Sequence, residues 1–118
     1  ADRLRYAQDC QSAQKKYQMF LSRASQHPKR PDALYGLALC HQALGSLTIA
    51  LNQMRSLIQQ FPTHKQISNV LLSVGLIQIQ QGKRSEGIAT LTRLERLYPK
   101  TSAAQRAHRN LEALRGVP

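Results

Sequence analysis

The stretch DALYGLALCHQALG, Asp32 to Gly45, decides the fold. Leu34, Leu37, Ala38 and Cys40 recur in it at a helical period. Asp32, behind Pro31, is placed to cap such a helix, and Gly45 is placed to stop it in the left-handed conformation. One amphipathic helix says little alone. This one recurs. Moving the chain against itself by 37 positions sets Leu34 on Leu71, Leu37 on Val74, Ala38 on Gly75 and Gly45 on Gly82. Further along, Ala50 falls on Gly87, Met54 on Leu91, Leu57 on Leu94 and Phe61-Pro62 on Tyr98-Pro99. One step earlier, Ala13, Tyr17 and Phe20 align with Ala50, Met54 and Leu57. Agreement in size and polarity over three copies marks an internal repeat.

Each copy reads as two helices. After Asp32–Leu44, a second helix from Leu47 to Phe61 carries Leu47, Ala50, Met54, Leu57, Ile58 and Phe61 at helical spacing and ends at Pro62. The third copy runs from about Lys65 to Gln81, turns at Gly82 and continues from Arg84 to Tyr98. A last helix, about Ser102 to Leu114, sets Ala103, Ala107, Leu111 and Leu114 on one face and Gln105, Arg106, Arg109, Glu112 and Arg115 on the other, as a solvated cap would. Ala38 and Gly75, with Ala50 and Gly87, are small where the two helices of a pair must approach closely. The expected architecture is an all-α solenoid of helical hairpins, because one hairpin cannot bury its apolar faces alone. It would form a single domain over 1–118: an incomplete first repeat at 1–28, repeats at 32–62 and 65–99, and a capping helix at 101–115. In the first repeat only about Ala1 to Ala7 remains for the leading helix, which would bare apolar surface beside Tyr17 and Phe20 unless a neighbouring chain or swapped segment covers it.

The composition fits a Leu/Ala-rich helical protein: 42% hydrophobic, 5% aromatic and no Trp over 118 residues. Lys and Arg total 17 against 6 acidic residues, a formal charge of +11 that would draw in acidic protein, nucleic acid or anionic lipid. The charges are dispersed, as on a solvated surface. No apolar run approaches the roughly 20 residues a bilayer crossing needs, and the charged start ADRLRYAQDC does not read as a signal peptide. A trimmed chain would read the same way. Phosphate loops, nucleophile elbows and paired catalytic carboxylates are not found; Gly82-Lys83 is a helix turn at a repeat junction. No enzyme and no cofactor is expected. His27, His41, His64 and His108 lack metal-ligand spacing, and His41 occupies a packing position. Cys10 and Cys40 are too few for a disulfide framework. In an oxidising compartment they could pair if the fold brought their Cα atoms within about 7 Å, and buried thiols are the default.

Leu34, Leu37, Ala38, His41, Ala50, Met54, Leu57 and Pro62, with Leu71, Val74, Gly75, Gln78, Gly87, Leu91, Leu94 and Pro99, resemble tetratricopeptide repeats. His41 and Gln78 stand where that pattern usually has Tyr, and the 34-residue consensus is lengthened by three residues after each Pro. With the stretches FPTHKQISNVLLSVGLIQIQQGKRSEGIATL and YPKTSAAQRAHRNLEAL, the chain from Asp9 onward resembles the C-terminal repeat domain of the YbgF/CpoB family of the bacterial Tol-Pal system. That resemblance implies a periplasmic adaptor coupling cell-wall synthesis to outer-membrane constriction in division, through TolA and peptidoglycan-synthesis proteins. Outer-membrane assembly lipoproteins share long repeats and Tyr-Pro ends, so another envelope or secretion assembly is the alternative.

The repeat's groove positions select Tyr35, Leu39, Gln42, Asn69, Leu72, Leu76 and Ile79, with Arg106 and Arg109 at the capping end. An apolar groove with polar ends suits an amphipathic helix or extended peptide; a second copy of the chain or the capping helix is the competing occupant. Nucleic acid is the rival partner from another class. The charge favours it, whereas Tyr35 is the one aromatic among the groove positions on which a base could stack.

Overall fold

The computed structural model describes residues 2–23 and 27–116, with side chains from Asp9 onward. The chain is helical in the order α1 (Asp2–Arg23), α2 (Arg30–Ala43), α3 (Leu47–Gln60), α4 (Ile67–Gln80), α5 (Arg84–Leu97) and α6 (Ser102–Arg115). No strand occurs among the described residues. It divides into two compact units, Ala1–Pro62 and Thr63–Pro118. In the first, α2 packs against both α1 and α3; in the second, α4, α5 and α6 all pack on one another.

The expected turns form for the expected reason. Gly45 and Gly82 have φ of 85° and 84°, the left-handed region that a Cβ disfavours. Each lets the next backbone N–H turn back into the preceding helix: Ser46 donates to His41 O and Lys83 to Gln78 O, both at 2.8 Å.

Two expectations need correction. Asp32 does not cap α2; the helix starts at Arg30, Lys29 stands at the cap without a side-chain bond, and Asp32 sits in the first turn. There its carboxylate favours the positive end of the helix dipole. Ala1–Ala7 does not supply a separate leading helix either, because from Asp2 onward the segment is continuous with the rest of α1. The residue 37 positions before Gly45 is Gln8, so the glycine that breaks the other two hairpins is missing and the helix runs on. Residues 24–26 of the first repeat lie outside the described residues.

Candidate binding surfaces

In the first unit Ala38 and Ala50 are fully buried, as expected of residues where α2 meets α3. His41 lies beside them, 8% exposed. Gln14 Nε2 on α1 donates to His41 Nε2 at 3.0 Å, and His41 Nδ1 donates to Gln53 Oε1 on α3 at 2.9 Å. One neutral tautomer, with the proton on Nδ1, satisfies both bonds. His41 therefore ties three helices together and is a satisfied packing histidine. In the second unit the register-equivalent pair is Gln78 and Thr90, whose hydroxyl donates to Gln78 Oε1 at 2.6 Å. The two departures from the usual Tyr are matched by polar partners one helix away.

The other histidines have roles that the sequence reading missed. His27 and His64 are 37 positions apart, and each accepts at Nδ1 from a backbone N–H two residues on, from Lys29 at 3.0 Å and Gln66 at 3.1 Å. The next position in this series is Thr101, whose hydroxyl accepts from Ala104 N at 3.1 Å and donates to Tyr98 O at 2.8 Å. All three orient backbone N–H groups at the start of the following helix. The shared register was the signal available in the sequence. His108 is different: its Nδ1 lies 3.1 Å from Glu95 Oε2, joining α6 to α5.

The proposed groove residues fall into two groups. On α2, Tyr35, Leu39 and Gln42 are half-buried, with part of each side chain open to solvent. Leu39 borders a crevice of about 190 Å3 between α1 and α2, together with Tyr17, Gly36 and the two cysteines. On α4, Asn69 and Leu76 are half-buried, and Asn69 Nδ2 donates to Gln66 Oε1 at 2.6 Å. Leu72 is only 3% exposed and cannot offer an open face. Ile79 is half-buried like Leu76, with its Cγ1 and Cδ1 in the space that a Cβ on Gly87 would take. The apolar character that selected Leu72 as a groove residue here serves packing. Arg106 and Arg109 are exposed on α6. Arg109 edges a cleft of about 580 Å3 between α5 and α6, with Glu95, Pro99, Gln105 and His108.

The apolar surface expected beside the incomplete repeat is partly present. Met19 is 53% exposed, while Tyr17 and Phe20 are half-buried and Phe20 meets His27 edge-on at 5.2 Å. Lys16, Tyr17, Phe20, Lys29, Asp32 and Ala33 line a shallow hollow there. Among the described residues, no group of three His, Cys, Asp or Glu is placed to hold a metal ion, and no helix is long and apolar enough to cross a membrane.

The family match falls on these same hairpins. Tetratricopeptide repeats match at residues 32–64 and 69–101, starting 37 positions apart as the internal register requires. No curated protein matches the chain. The matched segments hold α2–α3 and α4–α5, with their glycine turns and small-residue crossings, and together they span more than half of the sequence. The chain belongs to the tetratricopeptide repeat family.

Proposed function

We propose that the chain is a non-catalytic protein-binding module that engages partners through the leading helices of its hairpins. The observation that carries this reading is the same on both hairpins: an apolar residue remains half-open on the leading helix, Leu39 on α2 and Leu76 on α4. Such positions offer apolar area to a partner helix or extended peptide, while polar neighbours such as Gln42 and Asn69 fix its register. The +11 charge would speed encounter with an acidic partner.

The finer reading is a periplasmic adaptor of the Tol-Pal system, acting in cell division and envelope constriction with TolA or a peptidoglycan-synthesis protein as partner. Its support is the resemblance of the stretches FPTHKQISNVLLSVGLIQIQQGKRSEGIATL and YPKTSAAQRAHRNLEAL to that family's repeat domain. Another envelope or secretion assembly is the alternative. Binding of purified TolA from the same bacterium tests the finer reading, and no binding at micromolar concentrations would count against it.

The net charge also favours nucleic acid. The experiment that separates the classes compares a peptide selected from a display library with random-sequence DNA, each titrated at low and high salt. Protein binding predicts peptide affinity that survives the added salt. A DNA affinity that exceeds the peptide's at both salt concentrations would overturn it.

A further inference from the structure

We propose that α1 seats an acidic amphipathic helix of a partner protein, in the place that a leading helix fills in the other two hairpins. This goes beyond binding through Leu39 and Leu76, since the seat is α1 and its chemistry is set by Lys16. The register of the repeat marks the vacancy. Ala13, Tyr17 and Phe20 stand 37 positions before Ala50, Met54 and Leu57, and twice that distance before Gly87, Leu91 and Leu94. The six later residues are all buried, in hairpins where α2 packs on α3 and α4 packs on α5. The three on α1 are each half-buried. Met19 behaves differently: its equivalents Ser56 and Arg93 are exposed as it is, so that face of the trailing helix receives no cover in any hairpin. The hollow lined by Lys16, Tyr17 and Phe20 meets, at Tyr17, the crevice bordered by Ala13 and Leu39, so the opening runs along the α1–α2 seam.

The complete hairpins specify the occupant. Their leading helices carry Leu34, Leu37, Ala38 and His41 in one case and Leu71, Val74, Gly75 and Gln78 in the other. Each set is two apolar residues, a small one and a polar one at spacing i, i+3, i+4 and i+7, which shares one helix face. The small residue lets the leading helix close on the trailing one: a Cβ on Gly75 would stand 2.6 Å from Leu91 Cδ2, and Leu91 is the equivalent of Tyr17. The polar residue bonds across the hairpin, His41 to Gln53 at 2.9 Å and Gln78 to Thr90 at 2.6 Å. The residue on α1 equivalent to Gln53 and Thr90 is Lys16, which is exposed. A cation at that position calls for a carboxylate opposite, so the occupant carries Glu at i+7. Lys29 on the rim adds to the preference, while Asp32 there already has a partner in the fold. A second copy of the chain does not fit, because its α2 and α4 are already seated and its α1 brings Lys15 and Lys16 rather than an acid.

The probe is a synthetic helical peptide of roughly 16 residues with Leu, Leu, Ala and Glu at that spacing. It is titrated against the native chain by fluorescence anisotropy, beside a scrambled peptide of equal charge and one with Lys in place of the Glu. Physiological salt screens the distant charges of the chain. The designed peptide should bind at micromolar concentration, and the other two roughly fivefold more weakly or worse. Lys16→Glu should remove the preference for the Glu peptide. Phe20→Glu should lose about tenfold or more, whereas Met19→Glu and Leu76→Glu should bind like wild type. Lys16 is exposed, so its variant decides the matter even if Phe20→Glu fails to fold. No binding of the designed peptide, a Glu preference that survives Lys16→Glu, or an equal loss in Met19→Glu or Leu76→Glu would overturn the proposal. So would a dimer of the free chain, seen by sedimentation, that Phe20→Glu separates.

Discussion

At the residue scale, single side chains close the hairpins. His27, His64 and Thr101 use different chemistry for one task at one register position. His64→Ala should destabilise the protein by about 1 kcal/mol, whereas His64→Asn, which keeps an acceptor at similar reach, should recover most of the loss. Urea denaturation midpoints would measure both. Cys40 adds a pH effect. Its thiol is raised from 9.0 to about 12 by burial and by the neighbouring Cys10 thiol, so the folded protein keeps a proton that the unfolded chain releases. Stability is therefore undiminished below about pH 9 and falls as pH rises from there toward 12. Denaturation midpoints taken from pH 8 to 10.5 should decline more steeply in reduced wild type than in Cys40→Ala; parallel slopes would contradict this. Roles of this kind were poorly legible in the sequence. His64 looks like any loop histidine until its backbone partner is seen, and whether Cys10 and Cys40 border one crevice depends on how α1 lies on α2.

At the element scale, much of the fold was legible, because helix ends and crossings are set by residues with few alternatives. Gly45 and Gly82 end α2 and α4 in a conformation that most side chains resist. The same logic accounts for the missed feature, since Gln8 has no such freedom and α1 continues through it. Burial was harder to read. A helical period places Leu72 and Leu76 near one face, yet Leu72 is 3% exposed and Leu76 is half-open, a difference fixed by packing. The α4–α5 crossing is tighter than the period alone requires. A Cβ on Gly87 would stand 2.9 Å from the Gly75 carbonyl oxygen and 3.2 Å from Ile79 Cδ1. Gly87→Ala should therefore destabilise the second unit by about 1–3 kcal/mol, even though alanine is favoured over glycine in a helix by about 1 kcal/mol. A higher midpoint in that variant would contradict the close-crossing account. Gly36 is the milder case, because the atoms nearest its Cβ would belong to the Tyr17 ring, a side chain able to swing away.

At the scale of the whole molecule, the repeat supplies surface for a partner. Each hairpin devotes its small and large apolar residues to packing and leaves part of its leading helix open. The charge of +11 then governs approach more than grip, so a partner held by apolar contact should keep most of its affinity in salt. The most direct measurement is calorimetric titration of a library-selected peptide against wild type, Leu39→Glu and Leu76→Glu. Ile49→Glu and Leu97→Glu serve as controls at residues 50% and 47% exposed on α3 and α5. The account predicts at least a tenfold loss of affinity, about 1.4 kcal/mol, in one or both leading-helix variants, with helical circular dichroism and the controls unchanged. Undiminished binding by both leading-helix variants, or an equal loss in the controls, would contradict it.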